Sequence, residues 1–303
     1  MAAITAKMVA ELRAKTGAGM MDCKKALSET DGNMEQAIDY LRKKGLSAAA
    51  KKAGRVAAEG SIVAAGDGKV GVVAEINAET DFVAKNENFQ AFAKGVAQAI
   101  LDARPASVEA LKDVPFPGTG RTVGEELTHQ IATIGENMNI RRFECFEPEQ
   151  GVVASYIHAG GKIGVLVELT GNGDAERMQE VARQIAMHVA AANPQYLRRE
   201  DVPADVVERE KDIMRTKAVE SGKPENIVEK IIVGQLNKYY GEVCLLEQQF
   251  VIDTDLKVGK VVENLAKELG TEISLSRYVR YQLGEGIEKK EDDFAAEVAQ
   301  LTK

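Results

Sequence analysis

The chain holds 303 residues, of which 45% are hydrophobic, so its length predicts two or three packed domains. Its formal net charge of -8 argues against a protein that wraps a phosphate backbone, because such binding needs a basic surface. No apolar run approaches the roughly 18 residues of a membrane helix, and the amino terminus predicts no signal peptide. Three separated cysteines, Cys23, Cys145 and Cys244, favour reduced thiols over a disulfide framework. We therefore expect a cytoplasmic protein that contacts neither nucleic acid nor membrane directly.

Residues 1–45 are predicted to form three short helices around a small core. Thr5 is expected to cap the first helix, glycines 17 and 19 separate it from the second, and Gly45 is expected to end the third. Met20 and Met21 stand where the second helix begins, and methionine is common at adaptable binding surfaces. A core position for one of the two is the alternative. Residues 46–58, rich in Ala and Lys, are predicted to be a linker with helical tendency.

Comparison of the chain with itself finds an internal repeat. Residues 60–76 and 151–169 each hold two β-strands joined by a Gly-rich hairpin turn, and each copy is followed by a predicted helix. The sequence therefore predicts an α+β fold with a duplicated α/β core, in which an antiparallel sheet of each copy is covered by helices on one face.

The junction between strand and helix in the first copy has an unusual sequence, Thr80-Asp81-Phe82-Val83. Thr80 or Asp81 can cap the following helix, and Phe82 could fold back as a hydrophobic staple. The second copy has Gly171-Asn172-Gly173-Asp174 at this junction, without an aromatic residue. Since the same architecture is built there without Phe82, a functional role for Phe82 stays open beside the structural one.

The rest of the chain divides by composition. Residues 201–240 are predicted to form an antiparallel helical hairpin with a thin apolar stripe. Residues 105–122 are predicted to be a loop-rich excursion, and residues 271–283 are predicted to form a further strand. The tail predicts a helix with Phe294, Val298 and Leu301 on one stripe, which could dock on its own body or on a partner. The predicted domains are residues 1–45, a linker of 46–58, a core subdomain of 59–148, a second core subdomain of 149–200 with 241–284, the inserted hairpin of 201–240, and a C-terminal helical module of 285–303.

The motifs of common catalytic chemistries are missing from the sequence. It holds no G-x-x-x-x-G-K-[ST] loop, no H-E-x-x-H and no C-x-x-C, and none of its three histidines, His129, His158 and His188, has a readable spacing to a Ser or Cys nucleophile. We expect no catalysis, no metal and no cofactor, although a site assembled in space remains an alternative.

The junction sequence, continued as Ala84-Lys85-Asn86, resembles the signature of bacterial elongation factor Ts. Further motifs carry the same resemblance, and together they cover nearly the whole chain: Thr16-Gly17-Ala18-Gly19-Met20-Met21-Asp22-Cys23, Ile134-Gly135-Glu136-Asn137, Ala186-Met187-His188-Val189 and Gly284-Glu285-Gly286-Ile287. The resemblance implies a ubiquitin-associated-like three-helix domain, a duplicated core, an inserted hairpin and a C-terminal module. It also implies guanine-nucleotide exchange on elongation factor Tu, a GTPase, which would be bound in its GDP-bound and nucleotide-free forms.

The resemblance further implies roles for individual residues. The positions Thr80, Asp81, Phe82 and Val83 would disturb the Mg²⁺ site of the partner and so promote nucleotide release. Contacts with the partner would come from Met20, Met21, Asn137, Met138, His158 and Phe294. Two alternatives belong to other classes: a scaffold or chaperone-like binder of the same partner, in which Phe82 is only structural, and an enzyme with a site at the edge formed by residues 80–83.

Overall fold

The computed structural model describes residues 4–222 and 224–288. These residues group into two compact units, which are described separately below. The first unit holds residues 4–63, 74–143 and 282–288, and the second holds residues 64–73, 144–222 and 224–281.

The first unit begins with the three predicted helices, α1 (Ala6–Thr16), α2 (Met20–Glu29) and α3 (Met34–Lys52). Thr5 caps α1, because its side chain accepts a hydrogen bond from the backbone nitrogen of Met8 at 3.3 Å. The helices share a small apolar core to which each contributes, consisting of Val9, Leu12, Cys23, Ala26, Leu27 and Ala37. So small a core supports a compact three-helix module, as the sequence predicts.

The prediction that α3 ends at Gly45 is wrong, since the helix continues to Lys52. Gly45 is buried, and a β-carbon at this position would lie 3.4 Å from the β-carbon of Ala132. Ala132 belongs to α7 (Val123–Ile134), which contacts α3. The glycine therefore allows two helices to approach closely instead of ending one of them, and the first half of the predicted linker 46–58 is helical.

The remainder of the first unit follows the order strand, strand, helices, strand. The elements are β1 (Glu59–Gly66), β2 (Gly71–Ala78), α4 (Asp81–Ala84), α5 (Glu87–Ala103), α6 (Val108–Lys112), α7 and β3 (Met138–Phe146), and of these strands residues 64–66, 71–73 and 144–146 are grouped with the second unit. The three strands form one sheet in the order β1-β2-β3. Every residue of β2 is buried, so both faces of this central strand are covered, not one as predicted. The loop-rich excursion holds α6, and its Phe116 stacks on Phe92 of α5 with ring centroids 5.7 Å apart.

The second unit repeats this plan. Its elements are β4 (Gly151–His158), β5 (Ile163–Gly171), α8 (Ala175–Ala192), α9 (Ala204–Glu220), α10 (Glu225–Val243), α11 (Val258–Leu269) and β6 (Ile273–Gln282). The strands form a sheet in the order β4-β5-β6, and β4 pairs antiparallel with β5. One apolar cluster joins this sheet to α8 and α11, and its members include Val165, Leu169, Ile185, Val189, Val262 and Leu275.

Two details show that the repeat is structural as well as sequential. Gly60 and Gly151 both have positive φ angles, 129° and 141°, at the start of the first strand of each copy. A β-carbon on Gly60 would lie 2.1 Å from the carbonyl oxygen of Ile76, and one on Gly151 would lie 2.1 Å from that of Leu169. Only glycine avoids both the clash and the strain, so the two copies make the same close contact between neighbouring strands.

A buried glutamate also recurs at one position of the repeat. Glu75 in β2 accepts hydrogen bonds from Arg141 at 3.0 Å and from Arg142 at 2.7 Å. Its counterpart Glu168 in β5 accepts from Arg277 of β6 at 2.8 Å. Each pair ties the central strand of a sheet to its last strand, and the arginines compensate the charge that burial would otherwise make unfavourable.

Helices α9 and α10 form the predicted antiparallel hairpin. Met214 and Ala218 of α9 meet Val228 and Ile232 of α10 in a small buried cluster between the helices. A second cluster holds the base of the hairpin, where Val202, Val243 and Cys244 are buried. No helix among residues 4–222 and 224–288 is long and apolar enough to cross a membrane. The predicted C-terminal helix with Phe294 lies outside the described residues.

Candidate partner-binding surface

The segment Thr80–Val83 forms a separate single turn of helix and not the start of the long helix that follows. Thr80 caps α4 by accepting a hydrogen bond from the backbone nitrogen of Val83 at 3.3 Å. Asn86 then caps α5 in the same way, accepting from Asn88 at 2.9 Å. Two caps within seven positions make a tight corner. Of the two candidate caps in the sequence, Thr80 is the one used.

A carboxylate from a distant part of the chain holds this corner in place. Glu136 accepts one hydrogen bond from the Thr80 backbone nitrogen at 3.0 Å and another from the Thr80 hydroxyl at 2.7 Å. Next to it, the backbone nitrogen of Asn137 donates to the Glu79 carboxylate. Charge-assisted hydrogen bonds of this kind are among the stronger ones, so the residues before Phe82 are fixed from two sides.

Phe82 projects from this fixed corner into solvent. Its side chain is 80% exposed, while the neighbouring Val83 is buried beneath it. The interpretation of Phe82 as a hydrophobic staple is therefore wrong, because a staple would be packed against its own helix. A large aromatic side chain held outward on a braced turn is suited to enter a pocket of another molecule.

Asp81 lies beside Phe82 and is exposed. Its carboxylate pairs with Lys85, one turn further along, at 2.7 Å. This hydrogen bond holds the pKa of Asp81 below its usual value. Asp81 is thus an ionised, exposed carboxylate whose one ion-pair partner shown here, Lys85, a partner group could displace.

Met20 and Met21 form a second exposed apolar point. They open α2 and are 60% and 74% exposed, while Cys23, one turn later, is buried in the helical core. The alternative in which one of the two methionines fills the core is wrong. Asp22 pairs with Lys44 of α3, which orients the start of α2 relative to α3.

Two residues predicted to contact a partner are inside the first unit. Asn137 and Met138 are both buried. The Asn137 side chain donates to the backbone oxygen of Arg55 at 2.7 Å, and Met138 begins β3. Neither side chain projects from the surface, and the hydrogen bonds of Asn137 brace the corner that carries Phe82. The brace through Glu136 was not predicted, because nothing local connects position 136 with position 80.

The histidines of the second unit have different surroundings. His158 is exposed at the end of β4, where its Nδ1 lies 3.1 Å from the Tyr156 hydroxyl. His188 is buried, and its Nε2 lies 2.9 Å from the side-chain oxygen of Gln248. His188 is thus a core residue with a hydrogen-bond partner, whereas His158 is open to contact. Among the described residues, no group of three or more His, Cys, Asp or Glu side chains could hold a metal ion.

Comparison with known protein sequences shows which class of protein the chain belongs to. A family model described as elongation factor Ts matches residues 79–285. An elongation factor Ts of Syntrophotalea carbinolica is 70% identical over 99% of both chains, and one of Magnetococcus marinus is 58% identical over 99% of both. An elongation factor Ts of Clostridium botulinum is 52% identical over 98% of both chains. These similarities place the chain among the translation elongation factors.

More specifically, the chain belongs to the elongation factor Ts family. The family match begins at Glu79, so it includes the corner with Phe82 and the residues that brace it. The three N-terminal helices fit the ubiquitin-associated-like domain that the resemblance implies.

Proposed function

We propose that this chain is a guanine-nucleotide exchange factor, which promotes release of GDP from elongation factor Tu by protein–protein contact. Membership of the elongation factor Ts family supports the partner. The observation that carries the mechanism is the position of Phe82, which is 80% exposed on a corner held by Glu136. Exchange breaks no covalent bond, so this mechanism needs no nucleophile and no catalytic acid or base.

The proposed step is a wedge. In a GTPase, Mg²⁺ bridges the protein and the nucleotide phosphates and neutralises their charge. Phe82 would insert between partner side chains that position the metal, and Asp81 would compete for groups that hold it. Because the corner is already ordered, little conformational entropy is lost on insertion, and more of the contact energy is left to displace the metal.

Thermodynamic linkage then defines the cycle. If the factor lowers the affinity of its partner for GDP by some ratio, GDP lowers the affinity of the partner for the factor by the same ratio. A fresh nucleotide therefore releases the factor after exchange. The chain would act catalytically in this sense without altering the nucleotide.

Further contacts would hold the partner while the wedge acts. Met20 and Met21 provide exposed adaptable side chains on the N-terminal module, and His158 provides an exposed polar contact on the β4–β5 hairpin. Phe294 is proposed as another contact on the strength of the resemblance. Asn137 and Met138 are not part of this proposal as contacts, since both are buried.

Stopped-flow release of fluorescent GDP from elongation factor Tu tests the proposal. The intact chain should accelerate release, and Phe82→Ala should lower the acceleration by roughly 10- to 100-fold, because a buried phenyl side chain contributes about 1.5–3 kcal/mol. Ile252→Ala is the matched control, since Ile252 is also an exposed apolar residue and has no place in the proposal. It should leave the rate unchanged.

Other outcomes would change the conclusion. A folded Phe82→Ala variant that exchanges at the full rate would exclude the wedge while keeping the exchange activity. A chain that binds elongation factor Tu without any acceleration would instead be a scaffold or chaperone-like binder. Circular dichroism and a binding measurement on each variant separate these cases from misfolding.

A further inference from the structure

The first unit contains an open groove of about 640 Å³ that the proposed exchange mechanism does not use. One wall is the C-terminal half of α3 with its C-cap residue, where Leu46, Ala49, Ala50 and the cap Ala53 line the groove. Leu46 is 54% exposed, although it is a large apolar side chain. The four residues recur at helical spacing, so α3 presents a continuous apolar strip along the groove.

The opposite wall contains an unsatisfied buried polar atom. Asn77 lines the groove and is buried, and its amide nitrogen donates to Glu75 at 3.1 Å. Its side-chain oxygen has no hydrogen-bond donor among the residues that the structure describes. Such an atom is rare in a folded protein, because leaving it unpaired costs about 1–3 kcal/mol. This oxygen is itself buried and is not accessible from the groove, so the occupant that fits the groove is defined by an apolar face.

The chain itself runs into this groove. Ile287 is a lining residue, and only one further residue is described after it. The path to this point is anchored: the backbone nitrogen of Gly284 donates to Glu75 at 2.8 Å, and that of Ile287 donates to the oxygen of Gly284 at 3.0 Å. Residues 289–303 thus start at the edge of the groove, which gives them a high effective concentration there.

The sequence of residues 289–303 matches the groove in two respects. Phe294, Val298 and Leu301 have the spacing of one helical face, which corresponds to the apolar strip of α3. Glu291, Asp292 and Asp293 are acidic, and Arg55 lines the groove with Lys51 and Lys52 close to it in sequence. The length is sufficient, since residues 289–303 as a helix would span about 22 Å and α3 from Leu46 to Ala53 spans about 10 Å.

We propose that in the free chain residues 289–303 dock in the groove between α3 and β3, with Phe294 against the strip that begins at Leu46. The segment covers apolar surface that would otherwise face water. This proposal concerns the chain without its partner, and it does not depend on the exchange activity.

The absence of tryptophan from the sequence makes a direct test possible. Phe294→Trp introduces a single indole on the proposed contact face, and Ala296→Trp introduces one on the opposite side of the same predicted helix. In the full chain, the indole of Phe294→Trp should emit at shorter wavelength and be quenched by acrylamide several-fold less than that of Ala296→Trp. Equal quenching of the two would overturn the proposal.

A groove variant shows where the indole lies. Leu46→Asp, combined with Phe294→Trp, should raise quenching to the level of Ala296→Trp, while Met21→Asp, an exposed apolar position outside the groove, should leave it unchanged. Protection that persists in the Leu46→Asp variant would mean that another surface covers the segment. Protection that is lost on dilution would mean that a second copy fills the groove. Each result would contradict the proposed intramolecular docking.

Discussion

The side chain of Glu136 decides where Phe82 points, because both of its carboxylate oxygens are used on Thr80. Thr80 in turn uses its hydroxyl oxygen to cap α4 through Val83. The exposed aromatic residue therefore stands at the end of a chain of hydrogen bonds and not on a loose loop. These hydrogen bonds hold the corner in one geometry, which is what a wedge that must displace other groups requires.

A substitution that weakens this brace but keeps Phe82 tests whether exchange depends on how Phe82 is held. Glu136→Gln keeps the shape of the side chain but can accept from Thr80 with only one oxygen. We expect GDP release from elongation factor Tu to slow by about 10-fold, since a hydrogen bond to a charged group contributes roughly 1.5–3 kcal/mol. The amide of Val83 should exchange hydrogen faster in the same variant.

The control for this variant is Glu144→Gln, which removes the charge of an exposed glutamate on β3. It should exchange nucleotide at the normal rate and show normal amide protection at Val83. If Glu136→Gln matched this control in both measurements, the brace would have no role in presenting Phe82.

The sequence alone pointed to Thr80 and Phe82, but it did not show how their side chains are arranged. Thr80 was predicted as a cap from its residue type alone, and the missing aromatic residue in the second repeat pointed to Phe82. Whether Phe82 packs or projects depends on Glu136, which is separated from Thr80 by 56 positions. For the same reason Asn137 and Met138 were predicted as contacts although they are buried, since a motif shows that residues matter and not which way they face.

At the scale of helices and strands, a glycine in the sequence can indicate either the end of a helix or a close contact between two helices. A glycine after a helical pattern predicts a helix end, and this interpretation is correct at Gly17, whose φ is 66°. At Gly45 it is wrong, because the backbone there is helical and the missing side chain allows contact with Ala132. The hairpins and the repeat were predictable because strand alternation and turn residues act locally, whereas a helix crossing depends on a neighbour far along the chain.

A pair of leucine substitutions should distinguish a crossing glycine from an exposed one. Gly45→Leu should destabilise the packing of α3 on α7 by about 1–3 kcal/mol, because the larger side chain must displace Ala132. Gly234→Leu places the same side chain in α10, where a β-carbon meets nothing within 4 Å, and should stabilise its helix by up to about 1 kcal/mol. Amide hydrogen exchange of α3 and α10 measures each effect locally.

Equal destabilisation by the two substitutions would mean that leucine disturbs any helix of this chain. No loss of protection in α3 would mean that α7 moves away without cost and that Gly45 is not a packing constraint.

At the scale of the molecule, buried ionisable groups link stability to pH. Burial would raise the pKa of Glu75, but hydrogen bonds from Gly284, Arg142, Asn77 and Arg141 outweigh it and hold that pKa below its ordinary value. A carboxylate with a lowered pKa stabilises the fold above the unfolded pKa of about 4.5, and this contribution is lost as the pH falls through the folded value. The stability that Glu75 contributes is therefore present at neutral pH and is lost only in acid.

His188 links the stability of the fold to pH in a higher pH range than Glu75, and the physical cause of its pKa shift is different. Burial lowers its pKa, and the hydrogen bond with Gln248 offsets part of this effect. The backbone nitrogen of Val251 donates to Nδ1 at 3.2 Å, so Nδ1 must be unprotonated and the proton lies on Nε2, facing the oxygen of Gln248. The Gln248 amide is itself fixed by donating to the backbone oxygen of Glu242 at 2.7 Å. The site thus accepts only the neutral ring, because a proton on Nδ1 would face an N–H donor.

Stability should consequently fall as the pH drops from about 6.5 through the folded pKa of His188, by about 1.4 kcal/mol for each unit by which that pKa is lowered. His188→Gln keeps a donor toward Gln248 but cannot titrate, so its melting temperature should be lower at pH 7.5 and depend less on pH between 6.5 and 5. Part of the slope should remain, because burial also lowers the pKa of His129. The unaltered chain, measured in the same buffers, gives the reference slope. If His188→Gln kept that slope as well, the neutral ring of His188 would not be the group that links this fold to pH.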